Sequence, residues 1–129
     1  MQEKRHALVV DDDEDFVIQQ KSALERLGFA VTTASGREDA EGKLDGAKPD
    51  LALVDLMMEE MDGGFVVAHQ IKRRWPDARV ILVTAVTSET GLQFDLDSPG
   101  QRRWIKADAV LAKPVRFEQL KREIERVMA

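Results

Sequence analysis

The chain contains no cysteine, which excludes disulfides and thiolate metal sites at the outset. It lacks a basic excess as well: 19 Lys and Arg stand against 24 Asp and Glu, for a formal net charge of −5. A domain that gripped a nucleic-acid backbone would need the opposite balance, gathered in patches. No apolar run approaches the roughly 18 residues that a membrane span requires. Residues 1–6 have no apolar core of the kind an export signal carries, so a cytoplasmic location is expected. Internal repeats and low-complexity tracts are absent too. The two histidines, His6 and His69, have no metal-ligating neighbour at useful spacing, which favours surface positions for both.

What is present suits a single soluble domain over 1–129. Hydrophobic residues make up 43% of the chain and charged ones 33%, enough apolar mass for a core and too much for disorder.

Short apolar runs alternate with amphipathic stretches. The runs are 7–10, 29–33, 51–54, 79–83 and 109–111. Most lack polar alternation, as expected of strands buried on both faces. Between the first two, Phe16, Ala23, Leu24 and Leu27 recur at helical spacing, and Gly28 supplies a stop. Phe65, Ala68, Ile71 and Trp75 form a second stripe ended by Pro76, while 37–45 reads as a weaker, more exposed helix. Phe117, Leu120, Ile124, Val127 and Met128 make the clearest stripe of all. The segment 87–106 is rich in turn formers where a fourth helix is due, so a long loop is expected to replace or shorten that helix.

Alternating β and α elements imply an α/β domain, a doubly wound parallel sheet with right-handed crossovers. Five strands in this length suit the flavodoxin-like order 2-1-3-4-5, in which ligands bind beyond the C-terminal strand ends. Those ends are occupied by Asp11 to Asp15, by Asp55, by Thr84 with Ala85, and by Lys113 with Pro114. Two carboxylates 4 Å apart repel by about 1 kcal/mol in water and about 4 kcal/mol at an effective dielectric of 20. One lysine does not neutralise three of them. Mg²⁺ is the natural complement, because it takes a few carboxylates and keeps room for water and phosphate oxygens. Mg²⁺, a lysine and a nucleophilic carboxylate together suit phosphoryl transfer.

The ordered set Val9-Val10-Asp11-Asp12, Asp55 to Gly63, Val83-Thr84-Ala85 and Lys113-Pro114 resembles the receiver domains of two-component response regulators. The likeness covers nearly the whole chain; each motif alone is weak and the ordered set is strong. The resemblance implies that Asp55 is the phosphoryl acceptor, and that Asp12, Asp11, Asp55 and the backbone carbonyl of Met57 hold Mg²⁺. It implies that Lys113 and Thr84 contact the phosphoryl group and that Ala85 leaves room beside it. It further implies a switch that is no turnover enzyme, though it catalyses its own phosphorylation and dephosphorylation. Its donor would be a sensor histidine kinase, a phosphotransfer protein or a small acyl or amido phosphate. The output partner is not readable, and pairing of two copies is left open.

Three departures from the family pattern stand out. Glu59 replaces the usual proline, Val110 replaces the usual aromatic three residues before the lysine, and the stretch from 84 to 113 is long. They put the usual threonine–aromatic output coupling in question rather than phosphate acceptance.

Several other readings compete. Asp13 serves well as a helix N-cap, and Lys72-Arg73-Arg74 as cations at a helix C-terminus. An EF-hand over Asp11, Asp13 and Asp15 fails, because Phe16 and Ser22 stand at the required glycine and glutamate positions. A phospho-aspartate phosphohydrolase needs an Asp-x-Asp-x-Thr run and a cap domain, and this chain has neither. A flavin module needs a phosphate cradle after the first strand, where five acidic residues stand instead. A phosphorylation-independent interaction module on the same fold remains the alternative.

Overall fold

A computed structural model describes residues 5–46, 48–55, 63–84 and 108–128, with the side chains of 63–65 outside the description. The strands are β1 (His6–Val10), β2 (Ala30–Ala34), β3 (Leu51–Asp55), β4 (Arg79–Thr84) and β5 (Ala109–Ala112). Numbered in the order described, the helices are α1 (Glu14–Arg26), α2 (Arg37–Leu44), α3 (Gly63–Arg74) and α4 (Phe117–Met128). The strands form one parallel sheet in the order β2-β1-β3-β4-β5, as the alternation predicts. The expected loop over 87–106 lies outside the described residues.

Period-2 alternation sends each central strand into two cores at once. Leu8, Val10, Ala52, Val54, Val80 and Leu82 meet Ala40 and Leu44 of α2 and Val67, Ala68 and Ile71 of α3. Ala7, Val9, Leu51, Leu53, Ile81 and Val83 meet Phe16 and Leu24 of α1 and Leu120, Ile124 and Val127 of α4. Both faces of β1, β3 and β4 are thus sealed, which explains their nearly unbroken apolar runs. Complete burial of each such Leu or Ile is worth about 1.5–3 kcal/mol. The edge strand β2 departs from that expectation: only Ala34 is buried and Thr32 is exposed, because a single neighbour flanks it. Gln20 of α1, absent from the predicted stripe, is buried as well.

Helix α1 stops where Gly28 adopts φ +97°, a conformation that side chains with a Cβ rarely take. The Gly28 N–H donates to Glu25 O at 3.0 Å and the Phe29 N–H to Leu24 O at 3.0 Å. This paired closure satisfies two terminal carbonyls and brings Phe29 back onto Leu24 in the core.

The register sets the functional edge. Val10 pairs with Val54, Asp55 with Val83, and Thr84 with Ala112. Asp11, Asp55, Thr84 and Lys113 therefore follow one another across the C-terminal rim of the sheet. Two backbone bonds pin the outer members: Asp11 N–H to Ala34 O at 3.1 Å, and Lys113 N–H to Thr84 O at 2.8 Å.

Candidate functional site

Asp11 leaves β1 buried, and one of its oxygens is committed to the backbone: Oδ1 accepts from the Asp13 N–H at 2.8 Å. That bond folds the chain over at Asp12, leaving Asp12 exposed above Asp11. Asp13 then opens α1 as predicted, its Oδ1 accepting from Asp15 N at 3.1 Å and Phe16 N at 3.4 Å. This carboxylate is used for capping, so the five-residue acidic run divides by role along its length. From β3 comes Asp55, also buried, at 3% exposure. Carboxylate oxygens of Asp11, Asp12 and Asp55 all lie within 4.8 Å of one another.

Lys113 reaches this cluster from the end of β5. Its Nζ stands 3.0 Å from Asp11 Oδ2 and 3.7 Å from Asp55 Oδ2. It also lies over the ring of Phe16, 4.4 Å from the centroid. Burial draws the Lys113 pKa down. The polar contact with Asp11 and the charges of Asp55, Asp11 and Asp13 outweigh it, so the group ends above its ordinary 10.5. The ammonium thus stays charged through neutral pH, and the stability it confers is lost only as pH rises through that raised value.

The donor set suits a hard divalent cation. Among the described residues, three carboxylates gather against the Lys113 ammonium, so negative charge is in excess at this strand-end cluster. Asp11 Oδ2 is buried and has no well-aligned hydrogen bond, although the ammonium is near. An anionic oxygen of this kind is costly to leave so, and a cation with oxygen preference would satisfy it. An all-oxygen set without histidine or cysteine points to Mg²⁺ or its hard relatives rather than to zinc or copper.

Of the residues named from sequence, Asp11, Asp12, Asp55 and Lys113 converge, and Thr84 is buried at the adjoining strand end. Met57, Glu59 and Ala85 lie outside the described residues. Val110 is half-buried on β5 and packs against the core beneath α2 and α3. His6 and His69 are exposed, as expected. Sequence reading missed Phe16 as a neighbour of the site. Its helical spacing marks it as core, and the one available signal is an aromatic in the first turn of the helix that follows the acidic run.

The family model for the response regulator receiver domain matches residues 7–125. The alkaline phosphatase synthesis transcriptional regulatory protein PhoP of Bacillus subtilis is 30% identical over 121 residues, covering 94% of this chain and 47% of its own length. A CheY-like receiver domain protein of Methanospirillum hungatei superposes with a TM-score of 0.80 at 25% identity, covering 98% of this chain and 95% of that one. The response regulator TrrA of Thermotoga maritima, solved in complex with Mg²⁺-BeF, superposes with a TM-score of 0.76 at 28% identity, covering 95% and 98%. The chain spans half or less of the length of the curated relatives it first matches.

Proposed function

The chain belongs to the response regulator receiver domain family, and on that premise we propose that it is a phosphorylation-controlled switch whose acceptor is Asp55. The observation that carries this reading is the meeting of Asp11, Asp12 and Asp55 within 4.8 Å, with the Lys113 ammonium 3.7 Å from the Asp55 carboxylate. The whole of 1–129 would act as the receiver unit.

An Asp55 oxygen attacks the phosphorus of a phosphohistidine or a small phosphodonor. The new O–P bond forms as the P–N or P–O bond to the donor breaks, and the donor leaves with the electron pair. Asp12 and Asp11, with Asp55 itself and the Met57 carbonyl, would hold Mg²⁺, which when bound neutralises carboxylate and phosphoryl charge. Lys113 binds a phosphoryl oxygen as a point charge, and the Thr84 hydroxyl donates to another. The TrrA structure with Mg²⁺-BeF supports the same pairing of metal and phosphoryl-like group.

Phosphorylation adds roughly −1.5 to −2 charge at a buried strand end. Lys113 and Thr84 would be drawn toward it, and the domain would pass between two states of different partner affinity. The natural donor is a sensor histidine kinase or phosphotransfer protein in the cytoplasm, and the recipient is an output partner or domain. The acidic balance sets nucleic-acid contact aside for this domain, and among the described residues no helix is long and apolar enough to cross a membrane.

The test is intact mass after treatment with a small phosphodonor, with and without Mg²⁺, on native protein and Asp55→Asn. One phosphoryl adduct is expected on native protein with Mg²⁺ and none on the variant. An adduct of equal yield on Asp55→Asn would remove the assignment.

A further inference from the structure

We infer that Phe16 is a positioning residue for Lys113, its ring face holding the ammonium at the site when a divalent cation claims Asp11. The inference rests on the phosphoryl-acceptor reading of Asp55. Among the described residues, Lys113 Nζ has three partners: Asp11 Oδ2 at 3.0 Å, Asp55 Oδ2 at 3.7 Å, and the Phe16 ring, with its centroid at 4.4 Å. The first two are carboxylates of the cluster that suits a cation. A divalent ion and the ammonium therefore compete for the same oxygens. The ring is the partner for which a hard, oxygen-seeking ion does not compete.

Phe16 is itself only 8% exposed, packed in the core that α1 and α4 form against the sheet. Its place in the first turn of α1 is set by the Asp13 cap, whose carboxylate accepts the Phe16 N–H. The same turn thus fixes the Asp11 carboxylate through the Asp13 N–H and the ring under Lys113. A flexible four-carbon stem that lost its carboxylate contacts with nothing else to lean on would swing into water. Over the ring, the ammonium stays beside Asp55, where an arriving phosphoryl oxygen needs it.

The test compares native protein with Phe16→Leu, which stays apolar but removes the π face, and Phe16→Tyr, which keeps it. The first readout is the Lys113 ε-methylene NMR shift in the Mg²⁺-saturated protein. Ring current should move it upfield in native protein and in Phe16→Tyr, and that displacement should vanish in Phe16→Leu. The second is beryllofluoride affinity at saturating Mg²⁺, followed by fluorine NMR. It should weaken about 3- to 10-fold in Phe16→Leu, the factor expected of one partly desolvated cation–π contact, and recover in Phe16→Tyr. Mg²⁺ affinity should not weaken in either variant, which a general collapse of the site would not allow. Equal beryllofluoride binding by native protein and Phe16→Leu overturns this inference alone. Failure of native protein to bind beryllofluoride overturns the acceptor reading together with it.

Discussion

The Lys113 ammonium lies 3.0 Å from Asp11 and 3.7 Å from Asp55, so its nearer partner belongs to the acidic loop after β1 rather than to the strand-end residue of β3. Without a metal, Lys113 is a counterion that helps make burial of Asp11 and Asp55 tolerable. With one, it is a like charge a few ångströms away. Lys113→Gln should accordingly bind Mg²⁺ roughly tenfold more tightly, a screened fraction of the full Coulomb term at this distance. The same variant should melt lower in chelator and gain more than native protein from added Mg²⁺, since binding to the folded state stabilises it. Calorimetric titration reads the affinity; weaker Mg²⁺ binding by the variant would show that the ammonium does not compete.

Asp12 and Asp13 are adjacent, acidic and exposed, yet they should respond to truncation in opposite ways. Asp12 contributes to the carboxylate cluster, whereas Asp13 accepts the N–H groups of Asp15 and Phe16. Asp12→Ala should lower Mg²⁺ affinity about 10-fold or more, since even outer-shell partners of metals carry that much. Its urea midpoint should hardly move. Asp13→Ala should cost about 0.5–2 kcal/mol of stability, the range for a lost N-cap, with a much smaller change in Mg²⁺ affinity. Reversal of the two patterns would mean that the roles have been exchanged.

Much of this site was legible because a parallel sheet collects every strand end on one rim. Once the apolar runs identify the strands, Asp11, Asp55, Thr84 and Lys113 must be neighbours whatever the helices do. The Gly28 stop and the Asp13 cap were legible for a similar reason, being local in sequence. Phe16 under Lys113 was not, since no periodicity says which side chain of α1 meets the far end of β5. Nor was the pairing of Lys72, read only as a helix-terminal cation, with Asp108 ahead of β5. Both depend on how helices sit on the sheet, and a one-dimensional pattern fixes the buried face but leaves the partner unspecified.

That second pairing makes Asp108 a structural carboxylate. One of its oxygens accepts the Val80 N–H at 2.8 Å and meets Lys72 Nζ at 2.7 Å, tying α3 to the start of β4. Lys72 also donates to Ala78 O at 2.6 Å, so the junction is closed on both sides. Asp108→Ala would leave the strand-initiating Val80 N–H without its acceptor and the half-buried Lys72 ammonium without this carboxylate, at a cost of about 1–3 kcal/mol. Asp77→Ala, which removes an exposed partner of Lys48, should leave the urea midpoint where it is. A loss for Asp108→Ala no greater than that for Asp77→Ala would place the junction among ornamental surface pairs.

Asp39, in the first turn of α2 just beyond the end of β2, should set part of the acid response. Its carboxylate accepts from the Ser35 N–H at 3.0 Å and lies 3.4 Å from both Ser35 Oγ and Lys43 Nζ. The Ser35 backbone bond, opposed by partial desolvation and assisted by Lys43, holds the Asp39 pKa below its ordinary 3.8. A depressed carboxylate stabilises the fold above its unfolded value and loses that contribution as pH falls through the folded one. Asp39→Asn keeps a carbonyl oxygen for Ser35 but removes the charge. The gap in urea midpoint between native protein and this variant should therefore hold steady down to about pH 5, begin to narrow near 3.8, and close as the native carboxylate protonates. A gap that persisted unchanged to pH 3 would have to come from the amide itself, and the ionised carboxylate would then have no part in holding the start of α2.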